Sequence, residues 1–405
     1  MKILWISHIL PYPPKGGVTQ RSYNLIQEVS KRNEVFLFAI NQRAWLPTEQ
    51  EVLKAKVEFE RFCNLVKIFE LPSDKSKFAW YKLVIKSLFK KDGYTVNWTK
   101  LNKIVIKLKK FFDDHRVDVV HFDTIGLAYY ERYIPKGIFK VLNHHNIESL
   151  MMLRRAKNEK NLIKKIYFYI EGIKLREYEK KMCPLFNINL VVSDLDKERL
   201  LSIIPDLNID IIPNGVDINY FKPLKINFKK KNIIFAGSLD WYPNDDAVIY
   251  FIKDIWPIIK KRYQTVTFTI IGRNPSNRVR KLVEKDAFLR LTGFVDDVRP
   301  FFNEAEVYVC PIRDGGGTKL KLLDAMAMGK AIVTTRVGAE GLDVENERHV
   351  VIADDPKNFA LQISRLFENP SFGEYLGKNA RQLVEDKYSW EIIGKKLNNI
   401  YSSLG

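Results

Sequence analysis

The segment from Tyr308 to Thr335, YVCPIRDGGGTKLKLLDAMAMGKAIVTT, constrains the fold of this chain more than any other part of it. Its opening apolar run meets three successive glycines at 315–317, and helix-forming residues follow at once at 319–328. A second apolar run at 331–335 completes the segment. This succession of strand, glycine turn, helix and strand predicts a βαβ unit, which is the building block of parallel sheets.

The glycine turn has the chemistry of an anion site. Amides at the N-terminus of a helix lack partners within the helix, and the helix dipole favours negative charge there. Glycines let a phosphate approach the backbone closely, and Asp324 in the helix can accept hydrogen bonds from a ribose. An ordinary tight βα turn is the better explanation of the glycines alone, whereas the wider pattern favours a site for a nucleotide diphosphate.

Several motifs together resemble those of one enzyme family. LLDAMAMGKAIV (322–333) is similar to the nucleotide-sugar motif of retaining glycosyltransferase family 4, the glycosyl transferases group 1 of GT-B fold. PNGVD with a following F-x-P (213–223) resembles the inter-domain signature of that family. The pair Gly16 and Gly17 with the later Arg21 also fits. The resemblance covers nearly the whole chain and is firmer after residue 190 than before it.

Apolar runs alternate with helical patterns in both halves of the chain, which predicts an α/β protein with parallel sheets. The first half has predicted strands at 3–7, 35–39, 117–122, 139–142 and 190–193 and a predicted helix from Arg21 to Val29. The pattern restarts at 233 after a lysine-rich connector, KPLKINFKKKN. Six strands are predicted there, at 233–239, 267–272, 289–294, 305–311, 331–335 and 349–353.

The resemblance implies a GT-B architecture, in which two Rossmann-like, doubly wound parallel-sheet domains face each other across a cleft. Residues 1–210 are expected to bind the acceptor, and residues 211–388 are expected to bind the nucleotide sugar. Residues 389–405 are expected to form a C-terminal helix that crosses back to the first domain.

Length and composition agree with two ordinary domains. The chain has 405 residues, of which 46% are hydrophobic, and no apolar run is long enough for a transmembrane helix. The N-terminus lacks the layout of a secretory signal. Three widely spaced cysteines, Cys63, Cys183 and Cys310, indicate a reducing compartment and form no metal-binding pattern. These features predict a cytoplasmic protein.

The positive charge is concentrated in the first half. The net charge is +18, and residues 1–200 contain 37 Lys and Arg against 22 Asp and Glu. Basic residues alternate with apolar and aromatic ones at 75–91 and 154–181, a pattern that suits helices lying on anionic lipid at the inner face of the cell membrane. Solvated helix faces explain either segment alone at least as well, and nucleic acid is another acidic partner to weigh.

The sequence departs from the family pattern at the first of two acidic positions. The family often has two glutamates eight residues apart, the first at the donor sugar and the second at the ribose. Asp324 stands at the second position, but Gly316 stands at the first. Asp314 is the nearest acid and is the substitute that we consider for the missing first glutamate.

A second departure concerns the Arg and Lys that the family commonly uses against the diphosphate. Their places are taken by Ser238 and by Pro243 or Asn244. Lys321 is the first choice to supply the missing charge, with Lys319 and Arg273 as alternatives. A solvated helix lysine is an equally good explanation of Lys319. The remaining residues that the resemblance assigns to substrate binding are Gly16, Gly17, Gly237, Phe294, Val295, Gly316, Gly317 and Thr318.

The string VLNHHNIES (141–149) follows a predicted strand end. Related enzymes have a histidine near the donor sugar at a similar point, so His145 is the first choice for this role and His144 the second. A structural hydrogen bond is the competing explanation. His8 and His121 also lie at or near strand ends. The six histidines do not by themselves indicate a metal site.

The motifs together predict transfer of a sugar from a nucleotide diphosphate donor to a hydroxyl acceptor, on a lipid-linked or polysaccharide precursor. The resemblance implies retention of anomeric configuration, a hexosyltransferase that needs no metal or other cofactor, and Lys321, His145 and Asp314 as catalytic groups. A nucleotide-sugar epimerase of similar fold is the enzyme alternative. A basic nucleic-acid-binding protein is the other, although no compact motif of such proteins is present.

Overall fold

The computed structural model describes residues 1–224 and 229–404. The chain forms two compact units, one of Met1–Pro213 with the segment that starts at Ile393, and one of Asn214–Ile392. The sequence placed the divisions after residues 210 and 388. Residues 225–228 of the lysine-rich connector, and residue 405 of the segment that the sequence predicted as a C-terminal helix, lie outside the described residues.

The first unit is built on a parallel sheet of seven strands. Its central strands are nearly continuous apolar runs because helices cover both faces of such a sheet. The strands are β1 (Lys2–Ser7), β2 (Glu34–Asn41), β3 (Leu65–Glu70), β4 (Val119–Phe122), β5 (Phe139–Asn143), β6 (Ile188–Val191) and β7 (Ile209–Ile211). Their order in the sheet is β3-β2-β1-β4-β5-β6-β7.

Helices connect these strands, as parallel pairing requires. They are α1 (Gly17–Ser30), α2 (Glu49–Glu60), α3 (Lys77–Leu88), α4 (Tyr94–Thr99), α5 (Asn102–Asp114), α6 (Glu148–Asn158), α7 (Leu162–Met182) and α8 (Asp194–Ile203). The predicted strands and helix of this half are present, but α1 begins at Gly17 and not at Arg21.

The sequence missed strands β3 and β7. β3 is an edge strand with Lys67 and Glu70 among its apolar residues, which weakens the apolar run. β7 has only three residues.

The second unit has its own parallel sheet of six strands and its own apolar core. The strands are β8 (Asn232–Ala236), β9 (Thr267–Ile271), β10 (Leu289–Gly293), β11 (Val307–Cys310), β12 (Ala331–Thr334) and β13 (Val351–Ile352). Their order in the sheet is β10-β9-β8-β11-β12-β13. The six strands that the sequence predicted for this half are all present.

Eight helices lie among the described residues of this unit. They are α9 (Tyr242–Tyr250), α10 (Trp256–Arg262), α11 (Asn277–Val283), α12 (Arg299–Glu304), α13 (Leu320–Ala327), α14 (Arg336–Ala339), α15 (Pro356–Glu368) and α16 (Pro370–Lys387). A π-helical turn, Phe251–Ile255, joins α9 to α10.

The last helix, α17 (Trp390–Leu404), contributes to the core of the first unit. Tyr401 is fully buried, and its hydroxyl lies 2.7 Å from Nδ1 of His121 on β4. Asn398 accepts a hydrogen bond of 2.6 Å from Asn33 after α1. Among the described residues, no helix combines the length and the apolar character that a membrane span requires.

Both sheets reverse their strand order once, between β1 and β4 in the first unit and between β8 and β11 in the second. Ligands of open α/β sheets bind beyond the carboxyl ends of the strands at such a switch point. The described fold is therefore α/β, with two Rossmann-like domains, each of which has one predicted ligand position.

Candidate active site

The glycine turn between β11 and α13 is held by a buried lysine. Lys319 is 8% exposed, and its ammonium nitrogen lies 3.3, 3.1 and 2.7 Å from the carbonyl oxygens of Gly315, Gly316 and Gly317. Gly315 and Gly317 have φ of +108° and +67°, a conformation that glycine adopts without steric cost. Lys319 is therefore not a solvated helix lysine; it fixes the shape of the turn.

This arrangement determines where the amides of the turn point. In a trans peptide the N–H of one residue is directed opposite to the C=O of the residue before it. Since three successive carbonyls converge on Lys319, the amides of Gly316, Gly317 and Thr318 face away from it. None of these three amides has an acceptor among the described residues. Successive amides of this kind form an anion-binding concavity.

Lys321, on the first turn of α13, reaches the end of β8. Its ammonium is hydrogen-bonded to Oδ1 of Asn244, whose amide nitrogen donates to the carbonyl of Ser238 at 2.7 Å. Gly237 lies against the lysine, since a Cβ there would be 3.2 Å from Cε of Lys321. Burial lowers the pKa of Lys321 to about 8. Lys321 therefore lies beside the switch point, and with this pKa its side chain is mostly protonated at pH 7.

Arg273, at the end of β9, belongs to the same group of strand ends. Its Nε donates to Oγ of Ser238 at 2.8 Å and lies 3.2 Å from a carboxylate oxygen of Asp240. Its guanidinium charge is paired with Asp240 and is half exposed. Lys321 is therefore the better placed of the two cations to face an anion at the turn.

Asp324 lies one turn along α13 from Lys321. Its Oδ1 is buried and accepts no hydrogen bond among the described residues. Burial raises the pKa of Asp324 to about 7, although the charge of Lys321 acts in the opposite direction. Buried polar atoms in proteins nearly always have partners. The free oxygen is therefore an acceptor that a ligand hydroxyl could satisfy.

Two further side chains fasten the turn. Asp314 accepts a hydrogen bond of 2.7 Å from the amide of Gly315. Asn214, of the PNGVD motif, is hydrogen-bonded through its amide nitrogen to the hydroxyl of Thr318. The sequence analysis assigned no site role to Asn214. Only the fold shows that the PNGVD motif lies next to the glycine turn.

Phe294 and Val295 follow the end of β10, the strand next to β9. Phe294 is exposed, and Val295 is half-buried against the core of the second unit. An exposed aromatic ring at a strand end is suited to stacking on a nucleotide base.

In the first unit, the buried carboxylate of Asp123 organises the strand ends. The hydroxyl of Ser22 donates to it at 2.5 Å, the amide of Asn143 at 2.7 Å and Nε2 of His145 at 2.9 Å. Burial alone would raise the pKa of Asp123, but the neighbouring His145 and His8 favour its charged form and hold the pKa well below the usual range. We call these groups, with His8, the Asp123 network.

The ionised carboxylate fixes the tautomer of His145. Asp123 can only accept, so Nε2 of His145 carries the proton, and in the neutral ring Nδ1 is then an acceptor. His8, at the end of β1, donates from Nδ1 to the backbone carbonyl of Asp123 at 3.0 Å. Burial lowers the pKa of His8 to about 4, so it is neutral near pH 7.

Arg21 extends the Asp123 network and is almost fully buried. Its guanidinium donates to the carbonyl of Pro213 at 2.8 Å and to Oδ1 of Asn143 at 3.0 Å. Gly16 and Gly17, five and four residues earlier, form the N-cap and first residue of α1. The glycine pair is thus the start of a helix.

The two other histidines have structural surroundings. His144 is buried between β5 and β6, with Nε2 3.1 Å from Oδ1 of Asn189, and burial lowers its pKa to about 4. His121 stacks on Trp5 with ring centroids 3.6 Å apart and contacts Tyr401.

His8, Asp123 and His145 are the three residues in the described ranges whose ligand atoms are close enough for a shared metal, all within 4.8 Å. The carboxylate, however, already accepts hydrogen bonds from Ser22, Asn143 and His145. These bonds engage most of the acceptor positions of a carboxylate. The hydrogen bonds account for the cluster without an ion.

Residues 15–220, just over half of the chain, match the model for Glycosyltransferase Family 4, and residues 230–369 match that for glycosyl transferases group 1. The chain belongs to glycosyltransferase family 4. The predicted family is thereby confirmed.

Individual relatives of this family 4 glycosyltransferase are distant. An uncharacterized 44.6 kDa protein in the cps region of Klebsiella pneumoniae is 26% identical over 260 residues, which are 62% of this chain and 65% of that protein, slightly less than two thirds of its length. The phosphatidyl-myo-inositol mannosyltransferase of Mycolicibacterium smegmatis is 25% identical over 298 residues, 68% of this chain and 74% of that protein.

A solved structure of the Anabaena protein HepE in complex with UDP matches with a TM-score of 0.67 at 14% identity, covering 100% of both chains. At this identity the similarity shows the fold alone.

The structure of this glycosyltransferase brings most of the predicted donor-site residues together. Gly237, Ser238, Asn244, Arg273 and Lys321 form one hydrogen-bonded or contacting group, and the turn with Asp314, Thr318 and Lys319 adjoins Lys321 along the chain. In the first unit His145 was predicted, whereas Ser22, Asp123 and Asn143 were not. The sequence signal that could have identified Asp123 is an Asp directly after a predicted strand, in VDVVHFDT.

Proposed function

We propose that this glycosyltransferase transfers a sugar from a nucleoside diphosphate sugar to a hydroxyl group of a saccharide acceptor, with retention of anomeric configuration. The observation that carries the proposal is the glycine turn, whose three free amides, at Gly316, Gly317 and Thr318, lie on the chain between Lys319 and the end of β11. Lys321 and Asp324 follow on the same helix.

In the proposed complex the diphosphate binds at the amides of the turn and close to Lys321. As the bond between C1 of the sugar and the β-phosphate oxygen breaks, negative charge grows on the diphosphate. Fixed amide dipoles and a nearby ammonium stabilise that charge without reorganisation. The proposal therefore needs no divalent metal and no other cofactor.

The nucleoside is proposed to bind along the same strand ends. The free Oδ1 of Asp324 would accept hydrogen bonds from the ribose hydroxyls, and the exposed ring of Phe294, with Val295 beside it, would frame the base. The resulting bonds to a carboxylate are charge-assisted, so they contribute more than neutral hydrogen bonds.

His145 is proposed to act at the donor sugar through Nδ1, since its Nε2 is committed to Asp123. Asp314 is proposed to stand in for the missing first glutamate, with one oxygen held by the turn itself. The acceptor hydroxyl forms the new bond to C1 on the face that the diphosphate leaves. Its proton passes to the departing β-phosphate oxygen, so the step balances without an added base.

The acceptor is proposed to be a lipid-linked saccharide or a polysaccharide precursor at the cytoplasmic side of the cell membrane. The mycobacterial relative is named for mannosyl transfer to a phosphatidyl-myo-inositol, which supports a lipid-linked acceptor. The HepE structure was solved with UDP, which makes UDP-sugars the first donors to try.

A donor and acceptor screen tests the proposal. The protein is incubated with UDP-, GDP- and ADP-linked hexoses, with and without a lipid-linked saccharide extract, and the released nucleoside diphosphate and glycosylated product are measured. Acceptor-dependent release and a retained anomeric signal in the NMR spectrum of the product are expected. Release of an epimer or free sugar without acceptor would instead identify an epimerase or a hydrolase and contradict the proposal.

A further inference from the structure

Two helices of the first unit each present an apolar stripe to solvent. On α3 and immediately after it, the exposed large side chains recur at helical spacing: Phe78, Tyr81, Ile85, Leu88 and Phe89. On α7 the same pattern is formed by Leu162, Ile163, Ile166, Tyr169, Ile170 and Ile173. Phe89 is 87% exposed and Ile163 is 80% exposed. Apolar stripes with this spacing normally pack against a core. These two stripes are exposed instead.

Hydrogen bonds join α7 to the end of α3. The ammonium of Lys174 on α7 donates to the carbonyls of Ser87, Leu88 and Lys90 at the end of α3, at 2.9, 2.7 and 2.7 Å. Glu171 on α7 accepts the amides of Tyr94 and Thr95 at the start of α4. We call the exposed side chains of α3, α7 and their ends the α3–α7 surface.

The charge around the two apolar stripes is positive, and the exposed acid farther along α7, Glu177, is paired with Lys180. Residues 75–91 contain six lysines and no acid: Lys75, Lys77, Lys82, Lys86, Lys90 and Lys91. Residues 160–174 contain four more lysines, and their one acid, Glu171, is buried and hydrogen-bonded to α4. No compensating carboxylate therefore lies within these two segments at the surface.

We propose that the α3–α7 surface docks the protein on an anionic lipid bilayer, with α3 and α7 lying in the plane of the membrane. Exposed Leu, Ile and Phe side chains enter the acyl boundary in such an arrangement, and lysines reach the anionic headgroups. Trp80 and Tyr81, which contact each other at the start of α3, have the ring type that is enriched at the membrane interface.

Two other occupants fit less well. A second copy of the chain would bring the same lysines against each other, which opposes association. A nucleic acid would match the charge but would leave the two apolar stripes in water. The proposal does not depend on the transfer reaction, since binding to lipid is measured without a sugar donor.

Vesicle sedimentation with the full chain tests the proposal. Phosphatidylcholine vesicles with and without added phosphatidylglycerol are compared at about 0.1 M salt, and binding to the anionic vesicles is expected to be about tenfold or more stronger. Lys82, Lys86, Lys90 and Lys91 are all changed to Glu in one variant. The matched control changes four exposed lysines of the second unit, Lys253, Lys261, Lys281 and Lys285, to Glu.

The surface variant is expected to lose at least tenfold in binding, and the control less than threefold. The reason is that salt screens the attraction of any lysine that lies farther from the lipid than a Debye length, about 10 Å at 0.1 M salt. Equal losses in both variants would mean that overall charge alone attracts the protein, and would overturn the docking surface. So would a wild-type protein that ignores anionic vesicles.

The apolar stripes have a separate test. A variant with Phe78, Ile85, Ile163 and Ile166 changed to Ser keeps every charge, and it is expected to bind anionic vesicles at least fivefold more weakly, because membrane binding scales with the buried apolar area. Unchanged binding would contradict insertion.

Analytical ultracentrifugation of wild type and variant tests whether a second copy occupies the surface. A dimer that the variant abolishes would assign this surface to a second copy and overturn the proposal. All the changed residues are exposed, and thermal unfolding checks that the variants fold.

Discussion

The glycine turn of the second unit and the Asp123 network of the first unit both lie at the carboxyl ends of parallel strands, but they are built from different groups. The turn takes its groups from one short stretch, Gly315 to Asp324, and presents backbone amides with two titratable side chains. The network takes its groups from the ends of three strands and from α1, and it buries them. The first arrangement is suited to binding an anion and the second to holding one imidazole in a fixed orientation.

The two regions also differ in how they respond to pH. The pKa of Lys321 is lowered to about 8 and that of Asp324 is raised to about 7, both by burial, so both groups titrate near neutrality. His8 has a pKa lowered to about 4, and Asp123 is ionised at all ordinary pH values. Donor binding should therefore vary with pH because of the second unit.

The largest effect is expected from His145→Ala. In the proposed complex this ring, whose tautomer Asp123 fixes, acts at the donor sugar, so the rate of transfer at saturating donor should fall about 100-fold or more. Affinity for the nucleoside diphosphate should stay within about twofold of wild type, since in the proposed complex the diphosphate is held by groups of the second unit.

His144→Ala is the matched control for that variant. His144 contacts Asn189 in the interior, so its loss should lower the free energy of unfolding by about 1–3 kcal/mol and change transfer much less. A larger rate loss for His144→Ala than for His145→Ala would reassign the role.

Lys321→Ala should have the next largest effect, a fall in kcat of about 10–100-fold with a smaller change in donor affinity. In the proposed complex the negative charge on the diphosphate is larger in the transition state than in the bound donor, so the ammonium stabilises the transition state more than the ground state. Steady-state kinetics separate the two quantities. A rise in KM with an unchanged kcat would mean that Lys321 binds only the ground state.

Lys319→Met sharpens the distinction between the two lysines. The Lys319 ammonium is bound to three carbonyls and serves the shape of the turn. Its loss should weaken diphosphate binding itself and should lower the melting temperature. Kinetic effects identical to those of Lys321→Ala would contradict separate roles.

The sequence predicted most of the glycine turn but little of the Asp123 network. The turn was predictable because its glycines, Lys321 and Asp324 lie within one βαβ unit, where local spacing sets geometry. The role of Lys319 was not, because a curled side chain and a solvated one have the same sequence. The Asp123 network depends on the order of strands in the sheet, which brings residues distant in the chain together. From the sequence, only His145 of this network received a role, and His8 was noted only for its place near a strand end.

A smaller effect is expected from pH. Ribose hydroxyls favour the ionised form of Asp324, so affinity for a nucleoside diphosphate should fall as the pH drops through about 7. The diphosphate favours the charged form of Lys321, so affinity should also fall as the pH rises through about 8. Calorimetric titrations from pH 6 to 9 should give a maximum between these values and losses of about fivefold at the two ends.

Asp324→Asn should remove the acidic arm of that profile and leave the basic arm. An acidic arm that persists in the variant would place the titrating group elsewhere.

The most direct test is the calorimetric titration of one nucleoside diphosphate, chosen from UDP, GDP and ADP by a thermal-shift screen, into wild type, Asp324→Ala and His145→Ala. The loss of charge-assisted hydrogen bonds to the ribose should cost Asp324→Ala about 1.5–3 kcal/mol of binding free energy, whereas His145→Ala should bind like wild type. Asp254→Ala, which removes an exposed acid from the same unit, serves as the control. Equal affinity in Asp324→Ala and wild type, or a loss confined to His145→Ala, would contradict a nucleoside diphosphate site in which Asp324 holds the ribose beside the glycine turn.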